Sequence, residues 1–394
     1  MVAIAGQITV VNPAGRLLQV NSAGRLLKDR RQYFMLEFIV PALAFGLAFL
    51  LTPLFRHLAF RVGAMDQPNS RKIHHQAMPL LGGAAIYASF WVSAAVILYF
   101  FDGGGQFWGL FLGSTLIFAL GLYDDLRGLS YKAKFIGQFA AALFLLAYNV
   151  RIEFITLPFQ DIIFLGIFII PLTLLWVVGI TNAVNLIDGV DGLATGVSVI
   201  AAVVIFALTW DEFHLVPVLA LILAGAALGF LPHNFSPARI FLGDAGSLFL
   251  GFMLAGFAIM GLTKQATFTT LVIPVLVFGL PITDTFYAMW RRFRSNKPIF
   301  QADNGHIHHR LLNVGLTTRQ TVMVLYTCSI YFGAAAILFH HFSGIGNYLF
   351  LVIFALFLLG IKHLDNLSSI LTAVNGSHYS GKPEKPHKDY NQGL

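Results

Sequence analysis

The sequence predicts an all-α fold: a polytopic transmembrane bundle of about eleven spans with its chemistry on cytoplasmic loops. Three observations carry this. The 394 residues are 57% hydrophobic and 11% charged, with a mean hydropathy of +0.76, whereas soluble domains carry roughly 25% charged residues. Apolar runs close to the ~20 residues that cross a bilayer recur along the chain. Lys and Arg are concentrated in alternate loops. The composition excludes a soluble enzyme with one anchor, and no nucleic-acid partner is expected. The lone Cys328 lies inside an apolar run, which leaves no disulfide and no thiolate metal cluster.

Residues 1–35 stand apart. A tandem repeat, VNPAGRLLQ then VNSAGRLLK, precedes the basic stretch KDRRQYFM. No long apolar region with a cleavage site is present, so no signal peptide is read. Two units are too few for a solenoid. The segment reads as a disordered extension or a misassigned start, with Met35 as the alternative first residue. The membrane domain is placed at 36–362. Its spans are read at 36–56, 79–101, 106–123, 134–149, 162–181, 193–210, 215–232, 247–263, 268–290, 321–339 and 346–362. Backbone at bilayer depth has to bond to itself, so these runs are helices. Pro41, Pro53, Pro171, Pro217, Pro274 and Pro281 kink them or mark their ends. RIEFITLP (151–158) reads as a short extended piece on the outer side. The tail, 363–394, is polar and reads as disordered.

Sidedness follows from the cations. Loops after odd-numbered spans hold Arg56, Arg61, Arg71, Lys72, Arg127, Lys132, Arg239, Arg291, Arg292, Arg294, Lys297 and Arg319, and the tail adds more. The opposite loops hold Arg151 and Lys264. The odd loops and tail are therefore cytoplasmic. The basic residues of the leading extension conflict with this, a second reason to set 1–35 aside. Polar chemistry collects on the same side: YDDL (123–126), NAVNLIDGVDG (182–192), HNFSPARIFLGDAGS (233–247) and DNGHIHHRLL (303–312). One-sided accumulation of acids and histidines describes an active face; the membrane is expected to be the plasma (inner) membrane. A transporter or lipid flippase, the rival reading, would set ionisable groups nearer the bilayer midplane and repeat itself between halves of the chain. No such repeat is visible.

Each motif has two readings on its own. Asp124 and Asp125 are adjacent carboxylates that repel unless a cation or proton is shared; they bind Mg²⁺ or a phosphate-borne proton, or they form a solvated helix end. Asn182, Asn185, Asp188 and Asp191 recur at intervals of three, which aligns side chains on one helix face. Asp244 lies among small residues before a helix, suited to a nearby phosphate or to plain N-capping. His306, His308, His309 and Arg310 suit a diphosphate or sugar hydroxyls. Zinc is disfavoured because no Glu completes an HExxH-type site. Lys134 shares a helix face with Gln138 and is either an interfacial anchor or a catalytic cation. Arg71, Lys72, His74 and His75, before MPLLGG (78–83), are a positive-inside signal or a phosphate clamp. Asp284 reads as half of an intramembrane ion pair with Arg291 or Arg292.

Taken together, RKIHH…PLLGG, YDDL, KAKFIGQ, NAVNLIDGVDGLATG, HNFSPARIFLGDAGS and HIHHRLL resemble the polyprenyl-phosphate N-acetylhexosamine-1-phosphate transferases, in their WecA/TagO-like branch. The resemblance covers residues 36–362. It implies transfer of a sugar 1-phosphate from a UDP-sugar to undecaprenyl or another polyprenyl phosphate, with Mg²⁺ or Mn²⁺ as cofactor, UMP as the product and initiation of a lipid-linked cell-surface polysaccharide. UDP-N-acetylglucosamine is the donor it favours over UDP-MurNAc-pentapeptide or another UDP-HexNAc. It implies Asp244 as principal metal ligand, with Asp188 or Asp191, and Asp124, Asp125, Lys134 and His308 as catalytic residues. Asn182, Asn185, Asp188, Asn234, Phe241, His309 and Arg310 would bind the nucleotide, diphosphate or sugar, with Phe241 near the uracil. Lys134, His308 and Arg310 would supply positive charge. The lipid bilayer is the enclosing partner, and a homodimer is a further expectation.

Overall fold

In the computed structural model of the chain, residues 8–11, 17–20, 22–67, 77–98, 104–156, 162–210, 215–262, 272–295, 306–341 and 352 are described, with side chains from residue 38 onward. The order begins with an antiparallel hairpin, β1 (Ile8–Val11) and β2 (Leu17–Val20), then helix α1 (Ser22–Val62). β3 (Met65–Asp66) pairs antiparallel with β4 (Met78–Pro79), followed by α2 (Gly82–Leu98), α3 (Gly104–Arg127) and α4 (Tyr131–Ala147). β5 (Phe154–Thr156) pairs with β6 (Ile162–Phe164) before α5 (Ile169–Leu186), α6 (Leu193–Thr209) and α7 (Leu215–Asn234). Then come α8 (Gly243–Phe257), α9 (Val272–Val277), α10 (Gly279–Arg294), α11 (Ile307–Asn313) and α12 (Thr318–His341).

Six helical stretches among the described residues are long and apolar enough to cross a membrane: Phe38–Val62, Gly104–Arg127, Gly166–Leu186, Leu215–Asn234, Gly243–Leu262 and Thr318–His341. α2 and α6 are shorter apolar helices. Their outward faces stay apolar, as Leu50 and Leu54 on α1 do, which suits lipid rather than water. The run at 346–362 and the tail lie outside the described residues, as do Arg71, Lys72, His74 and His75. Two spans differ from the sequence reading. The run at 162–181 starts as a strand, because its first residues extend the pairing that RIEFITLP begins. The run at 268–290 is broken between α9 and α10 at Phe278. Pro281 has no N–H to donate one turn back, so the ladder is interrupted there.

α8 is the axis of the bundle. Every one of its residues except Asp244 is buried. It packs on α2, α3 and α5. Small residues permit backbone-to-backbone approach, the usual basis of helix packing in membranes. A Cβ on Gly83 would lie 2.2 Å from the Gly246 nitrogen, and one on Gly121 would lie 2.6 Å from the Ala245 Cα. The Gly82 and Gly83 amides donate to the carbonyls of Phe241 (3.1 Å) and Leu242 (2.8 Å), and the Phe241 amide donates to Pro79 (2.8 Å). MPLLGG is thus a packing and docking element for the start of α8. Gly121→Val is expected to push α3 from α8 and to lower folded yield and activity together. Gly46→Val, where an added Cβ meets nothing within 4 Å, is the matched control in a detergent thermal-shift and turnover assay.

Candidate active site at the ends of α3, α5 and α8

The helix ends that carry the sequence motifs meet at one end of the bundle. α3 delivers Asp124 and Asp125 in its last turn. Gly128 then takes φ +73°, a conformation that ends helices cheaply only for glycine. The Leu129 amide donates to Asp124 Oδ1 at 2.5 Å. Ser130 N-caps α4 by accepting from the Ala133 amide at 3.3 Å. This tight reversal brings Lys134, in the first turn of α4, back over the end of α3.

The two adjacent aspartates have different jobs. Asp125 accepts from the Asp244 amide (2.8 Å) and the Ala245 amide (3.0 Å). Those amides open α8 and would otherwise lack partners, and a carboxylate there also suits the positive end of the helix. Both Asp125 oxygens are spent on this cap. Asp124 instead pairs with the Lys134 ammonium, which also bonds Asp244 Oδ2 at 2.5 Å. Asp244 Oδ1 accepts from Asn185 Nδ2 at 3.0 Å, and the same amide nitrogen lies 2.8 Å from Ser247 Oγ. Asp244 is therefore fixed from α4 on one side and α5 on the other.

Asn182 acts one turn earlier. Gln138 Nε2 donates to Asn182 Oδ1 at 3.2 Å, and Asn182 Nδ2 donates back to Gln138 Oε1 and to the Val178 carbonyl at 2.7 Å. This amide pair ties α4 to α5 and sets the height of Lys134. α5 ends at Leu186, so the interval-of-three row lies on one helical face only for Asn182 and Asn185. Asp188 and Asp191 occupy the turn that follows. Asp188 has no hydrogen-bond donor among the described residues. It keeps partial solvent access, yet burial first, then the carboxylates of Asp244, Asp125 and Asp191, push its pKa well above the usual carboxylate range. Asp191 accepts from the Ala238 amide at 2.9 Å.

Asp191 thereby braces the α7–α8 loop, and others join it. Asn234 is buried; its Oδ1 accepts from Thr195 Oγ1 (2.9 Å) and its Nδ2 donates to the Ile240 carbonyl (3.1 Å). Arg56 and Arg319 donate from outside to the carbonyls of Arg239 (3.0 Å) and Ser236 (2.8 Å). Asn234 therefore shapes the loop from within, and Phe241 stays half-buried at its end.

The histidine segment comes in from α11. His308 is buried beside Gly189, where an added Cβ would lie 2.7 Å from His308 Nε2. That nitrogen has no hydrogen-bond partner among the described residues. Burial, then His309, pull the His308 pKa down to about 3. His308 is therefore a neutral hydrogen-bonding group near pH 7, not the positive charge expected from sequence. The His309 ring lies 4.3 Å from that of His308, and the Arg310 guanidinium stands 4.4 Å over the Tyr287 ring. Asp284 also departs from its expected arginine pairing. Its Oδ2 lies 2.9 Å from His306 Nδ1, and its Oδ1 accepts from the Ile307 amide at 2.8 Å. The sequence did carry a signal for it, since an ionisable residue inside an apolar run is a functional hypothesis by default.

A divalent cation fits this donor set in one particular manner. Among the described residues no three of His, Cys, Asp and Glu form a ready metal cage. Mg²⁺ seldom uses such a cage; it takes one or two carboxylates, keeps water and completes its shell with substrate phosphates. Asp188 offers oxygens with no competing donor, next to Asp244, whose oxygens hold Asn185 and Lys134. The electrostatic strain on Asp188 is what a cation would relieve. These hard oxygens suit Mg²⁺ or Mn²⁺ arriving with a diphosphate.

Comparison with known proteins gives a consistent picture. The model for glycosyl transferase family 4 matches residues 107–262. That stretch holds Asp124, Asp125, Lys134, the Asn182–Asp191 row, Asn234, Phe241 and Asp244, and it stops before His306. A Bacillus subtilis (strain 168) protein named "Probable undecaprenyl-phosphate N-acetylglucosaminyl 1-phosphate transferase" is 40% identical over 306 residues, covering 77% of this chain and 84% of its own. "Decaprenyl-phosphate N-acetylglucosaminephosphotransferase" of Mycolicibacterium smegmatis is 35% identical over 328 residues, 74% of this chain and 80% of its own. A Thermotoga maritima protein named "Undecaprenyl-phosphate alpha-N-acetylglucosaminyl 1-phosphate transferase" is 29% identical over 287 residues, 73% and 85% of the two chains.

Proposed function

The chain belongs to glycosyl transferase family 4, and on that premise we propose that it transfers N-acetylglucosamine 1-phosphate from UDP-N-acetylglucosamine to undecaprenyl or another polyprenyl phosphate, releasing UMP. It is a multi-pass membrane enzyme. We assign it about eleven crossings, with the site on the cytoplasmic face of the plasma membrane. There a dissolved nucleotide sugar meets a membrane-bound phosphate. The product starts a lipid-linked cell-surface polysaccharide, and the enzyme works as a homodimer. The observation that carries the reading is the Lys134 ammonium set between Asp124 and Asp244, residues drawn from three separate helices.

The chemistry joins a phosphate to a diphosphate, and the two repel. Asp188 with Asp244 would hold a Mg²⁺ or Mn²⁺, whose charge would offset that repulsion and polarise the sugar-linked phosphorus. Lys134 exchanges a carboxylate for a phosphate oxygen and orients the acceptor. An oxygen of the lipid phosphate forms a bond to the sugar-linked phosphorus. The bond from that phosphorus to the bridging oxygen breaks, and UMP leaves with the oxygen and its electron pair. A phosphate monoester is largely ionised at pH 7, so no strong base is required and Asp124 serves by positioning. Asn182 and Asn185 hold Lys134 and Asp244 in place. Asn234 and Asp191 shape the loop that presents Phe241 to the uracil. His308 Nε2, with His309 and Arg310, meets the diphosphate and sugar. A direct displacement is preferred to an aspartyl intermediate, because the ionised lipid phosphate is itself a competent nucleophile at pH 7.

The test is UMP release by the purified protein in detergent. Release is expected from UDP-N-acetylglucosamine only when polyprenyl phosphate and Mg²⁺ are both present, and EDTA should stop it. Exchange of label between UMP and the donor without acceptor lipid would count against direct displacement. No release under any of these conditions would remove the proposal. In the same assay His308→Ala is expected to cost on the order of a hundredfold in kcat/KM. His340→Ala, at the far end of α12, should stay within about twofold, as substitutions remote from a site usually do.

A further inference from the structure

Asp284 lies in α10, outside the acid cluster, and is 2% exposed. A buried carboxylate is costly unless its oxygens are satisfied. Both of its oxygens are bonded, and both bonds go to the first residues of the histidine segment. Oδ1 takes the Ile307 amide at 2.8 Å, one of the otherwise unpartnered donors at the start of α11. Oδ2 takes His306 Nδ1 at 2.9 Å. The His306 ring is stacked on that of His308, with centroids 5.7 Å apart and planes within 3°. His308 in turn keeps a buried Nε2 against Gly189, with no hydrogen-bond partner among the described residues. The chain of fixed groups runs from α10 through His306 to the ring of His308.

We propose that Asp284 is a positioning residue: it locks the start of α11 so that His308 Nε2 is held ready for the water-soluble donor, not for the lipid acceptor. The inference rests on the transfer reaction proposed above. The donor assignment follows from surroundings. His308 sits beside the polar Asp188–Gly189 turn. The α3–α4 side, which carries Asp124 and Lys134, presents Tyr123, Tyr131, Ile136 and Phe139 outward, a surface suited to acyl or prenyl chains. A group that acts through the histidine segment should therefore affect one substrate and spare the other.

Asp284→Ala is expected to raise the KM for UDP-N-acetylglucosamine about tenfold, the loss of a charge-assisted bond. The KM for polyprenyl phosphate should move less than about twofold, as for a site not touched. Asp284→Asn should recover most of that donor affinity, because its amide accepts from Ile307 and donates to His306 in the other tautomer. His306→Ala should reproduce the donor effect, and the double variant Asp284→Ala/His306→Ala should be no worse than the poorer single one. A folded Asp284→Ala with unchanged donor KM overturns the proposal, as does an equal rise for both substrates. If Asp284→Ala does not fold, His306→Ala decides on the same two constants. A wild-type enzyme that releases no UMP from this donor would instead remove the proposed function, so the two failures are distinct.

Discussion

Asp244→Asn is expected to lower turnover on the order of a thousandfold while leaving the protein folded. Asn matches Asp in size, so no cavity opens. The start of α8 is capped by Asp125, not by Asp244, so its two opening amides keep their partners. What disappears is charge. Lys134 loses one of its two carboxylates, and the Asn185 amide loses its anionic acceptor. The divalent ion proposed at Asp188 would lose its neighbouring ligand. The check is turnover across an Mg²⁺ titration beside a thermal unfolding curve in the same detergent. Normal turnover in Asp244→Asn would eliminate the metal role. Loss of folding without any selective loss of turnover would make Asp244 structural.

Lys134→Met is expected to cost on the order of a hundredfold in turnover and to make stability depend on divalent cations. The ammonium separates Asp124 and Asp244, whose side chains are 11% and 26% exposed. Without it, two partly buried carboxylates face each other, and one must take up a proton or a cation. Mg²⁺ should therefore raise the melting temperature of Lys134→Met more than that of the wild type. Lys134→Arg should restore only part of the activity, because a planar fork does not replace a compact ammonium between two oxygens. Equal Mg²⁺ responses in both proteins would show that the ammonium is not the counter-ion of this pair.

Local chemistry was legible in the sequence to the extent that it is local. Apolar runs gave helices at 106–123 and 215–232 because no other backbone satisfies itself in lipid. The interval-of-three row correctly placed Asn182 and Asn185 on one face, then failed at Asp188, since α5 stops at Leu186. Asp125 could not be read as the cap of α8, because that bond depends on Gly121 letting two distant helices touch. The same limit hid the link from Asp284 to His306. Its nearest cations in sequence, Arg291 and Arg292, suggested a pairing that the fold does not make. His308 reads as a positive charge in the sequence, whereas its burial disfavours the charged form, since a histidine's charge depends on its surroundings more than on its neighbours in sequence. In contrast, Asp244 and Lys134 stand out in the sequence as separate site candidates, and the fold brings them into contact.

The most direct measurement uses UDP-N-acetylglucosamine labelled at the β-phosphate, the purified enzyme, Mg²⁺ and polyprenyl phosphate, followed by extraction into organic solvent. Transfer of the sugar together with its phosphate carries the label into the lipid phase and leaves unlabelled UMP in water. Label retained in water as UDP, with the sugar alone on the lipid, would contradict the reaction assigned to this site.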